Sequence, residues 1–141
     1  MRILLDTNVI LDYVLARDGH FGNAERIFEL LDVGEIEVFV ATISIINVFY
    51  TTRKEKNLAT ANEAVGFLLK AVEFCETGKK LLETAFGLDF SDYEDAVQCA
   101  SALAENLDGI VTRNAKDFKN SPIPVYSPAR FLEVLRDESK S

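Results

Sequence analysis

The sequence contains very little histidine or cysteine. Its 141 residues include one histidine, His20, and two cysteines, Cys75 and Cys99. His20 lies in a segment of loop composition, so a Ser-His-Asp or Cys-His mechanism would depend on that single loop residue, and we set such mechanisms aside. The cysteines lack the spacing of a zinc site, and we expect both to be small buried thiols.

Long apolar runs and a positive net charge are also absent. The apolar runs around residues 38–41 and 43–46 are far too short to cross a membrane, and Asp6 would interrupt the apolar region of a signal peptide. We therefore expect a cytoplasmic protein with no membrane contact. The net charge of −8 argues against a broad nucleic-acid-binding surface. A nuclease remains compatible with it, because acids gathered at a metal site add negative charge and bound ions reverse the local sign.

The composition is that of an ordinary globular protein, and predicted strands alternate with predicted helices along the sequence. With 48% hydrophobic and 27% charged residues, it predicts one domain over residues 1–141, with 136–141 as a disordered tail. The predicted strands are residues 2–5, 37–41, 74–76, 109–112 and 123–126. The predicted helices are residues 8–16, 23–33, 42 or 44 to 56, 58–71, 78–86, 91–106 and a closing helix from Ser127. This alternation predicts an α/β fold with three α/β/α layers around a mostly parallel sheet.

Polar residues follow three of the predicted strands. Asp6 comes directly after the first strand, and Asn47 lies one turn along the helix after the second. The strand beginning at Gly109 runs into residues 112–114, with Asp117 just beyond. Because functional sites of open α/β sheets form at the carboxyl ends of the strands, we expect these side chains to share one edge.

The helix over residues 91–106 brings further acids to that edge. It precedes the Gly109 strand in a right-handed crossover, so its N-terminus lies at the same edge. At about 100° per residue, Asp92 falls within the buried stripe of this helix and Asp95 borders it. Glu94 points nearly the opposite way, and we expect it to be solvated.

Each of these residues also has a purely structural interpretation. Residues 6–8 can cap the following helix, with Asn8 the expected cap, and Asp92 can be an ordinary N-cap with Asp95 at the third position. Asp117 can cap or turn a loop, and Asn114 can take a left-handed turn conformation. Their shared edge favours a joint role, because gathered carboxylates repel one another unless cations hold them. Oxygen ligands without histidine indicate Mg²⁺ or Mn²⁺, which serve phosphodiester hydrolysis.

Three segments carry a resemblance to a known family. LLDTNVILD, EDAVQCASALAE and IVTRNAKDF, in this order, resemble PIN-domain proteins, the fold of VapC-type toxin ribonucleases. The resemblance covers almost the whole chain, including the final strand and the SPARFLEVL helix. PIN domains bind Mg²⁺ or Mn²⁺ through acidic residues and cleave RNA. The resemblance therefore implies a metal-dependent ribonuclease with an RNA substrate.

The resemblance also implies roles for individual residues. Asp6 matches the first metal-binding acid of the family, and Asp95 matches the acid on the late helix. The family has a further acid either at the Asn114 position or three residues on, where this chain has Asp117. Thr112 would orient the metal-binding carboxylates.

One position departs from the family pattern. The family usually has a glutamate on the helix after the second strand, where this chain has Asn47. An amide can ligate a hard cation through its oxygen but brings no charge, and Asp92 is a candidate to supply it. If Asn47 is a weakened ligand, Asn47→Glu should raise activity or metal affinity. Among basic residues, Arg113 and Lys116 lie next to the predicted site and are the expected RNA contacts.

The resemblance implies partners and leaves alternatives. VapC-like relatives commonly form homodimers and are blocked by an antitoxin protein, and we expect both here. One alternative is a PIN fold without catalysis, kept as an RNA-binding or protein-interaction module, which the uncharged Asn47 favours. Another is a haloacid-dehalogenase-like phosphatase with Asp6 as nucleophile. That family needs an acid two residues after the nucleophile, where this chain has Asn8.

Overall fold

The computed structural model describes residues 1–140, which form strands and helices in regular alternation. The strands are β1 (Arg2–Leu5), β2 (Glu37–Ala41), β3 (Glu73–Cys75), β4 (Gly109–Val111) and β5 (Val125–Tyr126). The helices are α1 (Thr7–Val14), α2 (Phe21–Asp32), α3 (Thr42–Glu55), α4 (Leu58–Ala71), α5 (Lys79–Phe86), α6 (Tyr93–Ala104) and α7 (Pro128–Ser139). A short 3-10 helix spans Ala115–Phe118. None of the helices formed by residues 1–140 has the length and apolar composition needed to cross a bilayer.

The strands form one five-stranded parallel sheet in the order β3-β2-β1-β4-β5. Leu4, in the central strand β1, pairs with Phe39 of β2 on one side and with Ile110 of β4 on the other. The predicted α/β fold is therefore confirmed. The chain runs outward from β1 through β2 and β3 and then returns to β4 on the other side. This reversal opens a crevice beyond the carboxyl ends of β1 and β4, where open α/β sheets bind ligands.

The sheet is buried on both faces, and β1 shows why. Ile3 and Leu5 face one apolar cluster, which includes Phe131 of α7, while Leu4 faces a second cluster that includes Cys99 of α6. Successive strand residues point to opposite faces, so an uninterrupted apolar run fits a strand with helices on both sides. Burial on both faces leaves the strand ends as the place for polar chemistry.

The C-terminal segment differs from its prediction. Residues 136–139, predicted within a disordered tail, are the last turn of α7. This helix is capped by Ser127, whose Oγ accepts from Arg130 N, and it buries Phe131 against the sheet. The amphipathic spacing of Phe131, Leu132 and Leu135 carries the helix beyond the predicted boundary. Ser141 lies outside the described residues.

Candidate active site

Asp6 is a buried carboxylate at the end of β1. Its backbone carbonyl accepts from Val9 N and Ile10 N at the start of α1, but its side chain makes no capping bond. The side chain, in a residue only 4% exposed, instead accepts from Thr112 Oγ1 at 2.6 Å and from Gln98 Nε2 at 2.8 Å. The expectation that Asn8 caps α1 is wrong, because the helix begins at Thr7 and Asn8 is its second residue.

Burial and hydrogen bonding act on Asp6 in opposite directions. Removal from water raises the pKa of the Asp6 carboxyl, and the hydrogen bonds from Thr112 and Gln98 lower it, with burial the larger effect. The two donors satisfy one oxygen each. The two hydrogen bonds thus fix the position of the Asp6 carboxyl, while burial disfavours its charged form.

Gln98 is a site residue that the sequence analysis missed. It is fully buried on α6, and its Oε1 lies 3.5 Å from Ser44 Oγ, while Thr7 Oγ1 donates to that Ser44 oxygen at 2.7 Å. A chain of polar contacts therefore runs from α1 through α3 and α6 to Asp6. The available signal was an amide three residues after Asp95, on the same side of a helix otherwise lined by small apolar residues.

Glu94 also belongs to the site, and its prediction as a solvated residue is wrong. Its Oε1 accepts from Asn47 Nδ2 at 2.6 Å and lies 3.5 Å from Thr7 Oγ1. The prediction counted only the face of α6 that packs on the sheet. Glu94 points instead toward α3, which carries Asn47 and is packed beside the same sheet edge.

The orientation of Asn47 changes the expectation for its replacement. The amide uses its nitrogen as a donor to the Glu94 carboxylate. A glutamate at position 47 would bring two carboxylates into contact, where like charges repel. The expectation that Asn47→Glu alone raises activity or metal affinity stays a prediction, and the Asn47–Glu94 contact argues against it.

The pKa of Asp95 depends on the other acids at this edge of the sheet. Burial raises the pKa of its half-buried carboxyl to about 7, and the charges of Asp6, Asp92, Asp117 and Glu94 contribute in that order. The acids that strand ends and helix spacing predicted thus lie within electrostatic reach of one another. Glu94 is an addition to that set.

Asp92 and Asp117 are more peripheral. Asp92 is exposed, so its prediction within the buried stripe of α6 is wrong. It is the N-cap of α6, with its Oδ1 accepting from Asp95 N at 3.0 Å, as its structural interpretation predicted. Asp117 is exposed in the 3-10 helix. Asn114 caps that helix with a φ of −113°, so the left-handed conformation considered for it does not occur.

Thr112 connects the end of β4 to Asp6. It is fully buried, and its Oγ1 donates to Asp6 and accepts from Asn114 N at 3.0 Å. One hydroxyl therefore fixes both the carboxylate and the start of the following loop. The hydrogen bond is the one that the orienting role implied for Thr112 requires, and the role itself stays a prediction.

Arg113 is engaged within the protein. Its Nε and a terminal nitrogen donate to the two oxygens of Asp12 at 2.7 and 3.2 Å, and Asp12 is only 1% exposed. Arg17 adds a weaker contact to the same carboxylate at 3.7 Å. Arg113 is thus poorly placed for the RNA contact expected of it, whereas Lys116 is exposed beside the acids.

A sequence model of the PIN domain matches residues 2–116. The chain belongs to the PIN-domain family. The match contains every site residue described above except Asp117, which lies one residue beyond it. No curated protein matches the sequence.

Solved structures share the fold of this PIN domain. VapBC2 from Rickettsia felis, solved bound to a promoter DNA fragment, matches with a TM-score of 0.70 and 21% identity, over 90% of this chain and 98% of that chain. A toxin-antitoxin complex from Klebsiella pneumoniae matches with a TM-score of 0.68 and 22% identity, over 89% and 97%. Mycobacterium tuberculosis VapC20, a Sarcin-Ricin loop cleaving toxin, matches with a TM-score of 0.63 and 16% identity, over 77% and 86%. Likeness at such identities establishes the fold.

The donor chemistry of this PIN domain suits a hard divalent cation. The edge offers carboxylate oxygens from Asp6, Glu94, Asp95 and Asp117, which Mg²⁺ and Mn²⁺ prefer over softer ligands. Within residues 1–140, no three histidine, cysteine or acidic side chains already stand in the arrangement of a bound metal ion. The fit therefore depends on the donor types and on the placement of these acids around Asp95, whose pKa is raised by burial and then by its acidic neighbours.

Proposed function

We propose that this PIN domain is a Mg²⁺- or Mn²⁺-dependent endoribonuclease of the toxin type, acting in the cytoplasm. The observation that carries the proposal is Asp6, a buried carboxylate held by Thr112 and Gln98 with Asp95 at the same edge. Burying a carboxylate costs free energy, and buried carboxylates are typical of functional sites that use the charge. Membership of a nuclease family supports a phosphodiester bond as the target.

The metal ligands in this proposal are Asp6 and Asp95, with Asp117 and Asp92 on the exposed side. A bound Mg²⁺ or Mn²⁺ would supply an activated water and charge stabilisation for the leaving oxygen. Thr112 and Gln98 hold the Asp6 oxygens in place. Without metal, burial and the neighbouring acids raise the pKa of the Asp95 carboxyl to about 7, and a bound cation would favour its charged form. Lys116 and, to a smaller extent, Arg113 are the basic side chains nearest to an RNA phosphate, and Asn114 shapes their loop.

We propose an antitoxin protein and a second copy of the chain as partners. Two structures with the same fold, VapBC2 from Rickettsia felis and the toxin-antitoxin complex from Klebsiella pneumoniae, support the antitoxin. An edge with several carboxylates is complementary to a basic side chain from such a partner. Homodimer formation remains an expectation from the family resemblance.

RNA cleavage by the purified protein tests the proposal. We expect cleavage with Mn²⁺ or Mg²⁺, none with a chelator, and its loss in Asp6→Asn, which removes the charge but keeps the side-chain shape. Asp32→Asn, at an exposed acid ending α2, is the matched control and should cleave normally. Cleavage by Asp6→Asn at the wild-type rate without metal would contradict the proposal.

A catalytically inactive RNA-binding or protein-interaction module is the second candidate. The uncharged Asn47 and the two donors that occupy both Asp6 oxygens favour it. Calorimetric titration with Mn²⁺ separates the two candidates. Absence of binding in the millimolar range would favour the inactive module, whereas saturable binding lost in Asp6→Asn would favour the nuclease.

A further inference from the structure

We infer that Glu94 supplies the carboxylate on the α3 side of the site, and that Asn47 is a positioning residue which holds it there. The inference rests on the proposed function, since it assigns a metal-binding role within the same site. It reverses the roles that the sequence suggests for these two positions. Asn47 then serves as a donor, and the charge comes from α6.

The contact between the two side chains is the first argument. Asn47 Nδ2 donates to Glu94 Oε1 at 2.6 Å, and both residues are partly buried. A bond from an amide to a carboxylate is charge-assisted and stronger than one between neutral groups. A solvated glutamate in the first turn of α6 would be stabilised by the helix dipole alone and would have no need of a partner on another helix.

The connection of Glu94 to Asp6 is the second argument. Glu94 Oε1 lies 3.5 Å from Thr7 Oγ1, Thr7 contacts Ser44, Ser44 contacts Gln98, and Gln98 donates to Asp6. The two carboxylates therefore stand at opposite ends of one chain of buried polar groups. Such a chain fixes the positions of the two carboxylates relative to each other, as is needed if both bind one cation.

Mn²⁺ binding to the full chain, followed by the electron paramagnetic resonance signal of free Mn²⁺, tests the inference without depending on activity. We expect Glu94→Gln to weaken Mn²⁺ binding by roughly tenfold to a hundredfold, the range typical of residues that support a metal site. Glu63→Gln, at an exposed acid on α4, is the matched control and should bind within about twofold of wild type, because its charge is exposed and screened. Unchanged binding in Glu94→Gln, with binding lost in Asp6→Asn, would overturn the inference and leave the proposed function standing.

Exchanging the acid and the amide between positions 47 and 94 distinguishes a metal-binding role of Glu94 from a purely structural contact between α3 and α6. Asn47→Glu alone should weaken Mn²⁺ binding, because it removes the Asn47 Nδ2 donor that holds Glu94 in place. The double variant Asn47→Glu with Glu94→Gln restores one acid and one amide, and we expect its Mn²⁺ affinity to recover most of the loss caused by Glu94→Gln. A double variant no better than Glu94→Gln would overturn the inference.

The remaining outcome concerns the proposed function itself. If wild-type protein bound no Mn²⁺ and cleaved no RNA, the nuclease proposal would fail, and the role of Glu94 would fail with it. Thermal unfolding of each variant without metal shows whether the fold is retained. A wild-type melting temperature in Glu94→Gln, together with weakened Mn²⁺ binding, would support the inference.

Discussion

At the scale of single residues, the site depends on how the Asp6 side chain is held in place. Gln98 is one of its two fully buried side-chain donors, with Nε2 at 2.8 Å from Asp6 Oδ1. We expect Gln98→Leu to lower the free energy of unfolding by about 1–3 kcal/mol, because it removes a hydrogen bond from a buried carboxylate. Urea unfolding measures the effect.

The matched control for this change is Ser101→Ala. Ser101 is equally buried on α6, but its Oγ bonds only to Val97 O in the preceding turn. We expect it to cost at most about 1 kcal/mol, the typical value of a single hydrogen bond. A loss in Gln98→Leu no larger than in Ser101→Ala would contradict the role given to Gln98.

Asp95 predicts how stability depends on pH. Burial and neighbouring acids raise its pKa from 3.8 to about 7 in the folded chain, so the folded state binds more protons than the unfolded state between these values. Metal-free protein should therefore lose stability as the pH rises through this range. After allowance for solvent screening of a half-buried group, we expect a loss of about 1–2 kcal/mol between about pH 5.5 and about pH 8.

Denaturant unfolding in a chelator at the two pH values tests this prediction. Asp95→Asn should flatten the pH dependence, whereas Asp32→Asn should leave it unchanged. Saturating Mn²⁺ should oppose the loss at high pH, because it binds the charged carboxylates of the folded state. Wild-type stability that rises from about pH 5.5 to about pH 8 without metal would contradict the assignment.

Strand ends and helix spacing were enough to predict Asp6, Asp95 and Thr112 as neighbours. The contact of Glu94 could not be predicted in the same way, because it depends on Asn47 of α3. Gln98 was missed although its spacing from Asp95 offered a signal. A helical wheel relates a residue to one buried face, whereas α6 meets both the sheet and α3 at this edge. Polar residues next to a predicted acid on the same helix are therefore worth testing even when a helical wheel places them away from the buried face.

At the scale of the elements, one ion pair ties α1 to the loop after β4. Asp12 is buried in α1, and Arg113, which follows Thr112, donates to both of its oxygens. We expect Arg113→Ala to destabilise the fold by about 2–4 kcal/mol, because it leaves a buried carboxylate with only the weaker contact from Arg17. Urea unfolding again measures the effect.

Two further variants define the cause of this loss. Arg113→Lys keeps the charge but not the paired geometry, and should recover only part of the stability. Lys116→Ala, in the same loop but exposed, should change the free energy of unfolding by less than about 0.5 kcal/mol. If Arg113→Ala behaved like Lys116→Ala, Arg113 would be free to contact RNA as the sequence first suggested.

The elements were predictable because their patterns are strong. The apolar run of β1 and the amphipathic helix over residues 58–71 have the predicted bounds. The 3-10 helix over Ala115–Phe118 was not predicted, since four residues carry no periodicity. The last turn of α7 was assigned to a tail because its polar composition resembles one, although the preceding apolar residues anchor it.

At the scale of the whole molecule, negative charge limits how RNA can bind. The net charge is −8, and Arg113 is paired with Asp12, so few cations remain for phosphate contacts near the site. With about two such contacts, kcat/KM for single-stranded RNA should fall less than about tenfold between about 50 and about 200 mM salt. A steeper fall would indicate a basic RNA-binding surface outside this edge.

The topology explains why the site forms where it does. Reversal of the strand order at β1 places the ends of β1 and β4 beside each other, and α6 returns to the same edge. Asp6, Thr112 and Asp95 are brought together by this reversal although about a hundred residues separate the first two. Fold and site are thus consequences of one arrangement of strands.

The most direct test of the account is the rate of RNA cleavage as a function of Mn²⁺ concentration. Protein stripped with a chelator should be inactive, regain activity as Mn²⁺ is added back and then saturate. Asp6→Asn should remain inactive at every concentration, and Asp32→Asn should follow the wild-type curve. Equal cleavage by wild type and Asp6→Asn, independent of Mn²⁺, would contradict the claim that this edge is a metal-dependent nuclease site.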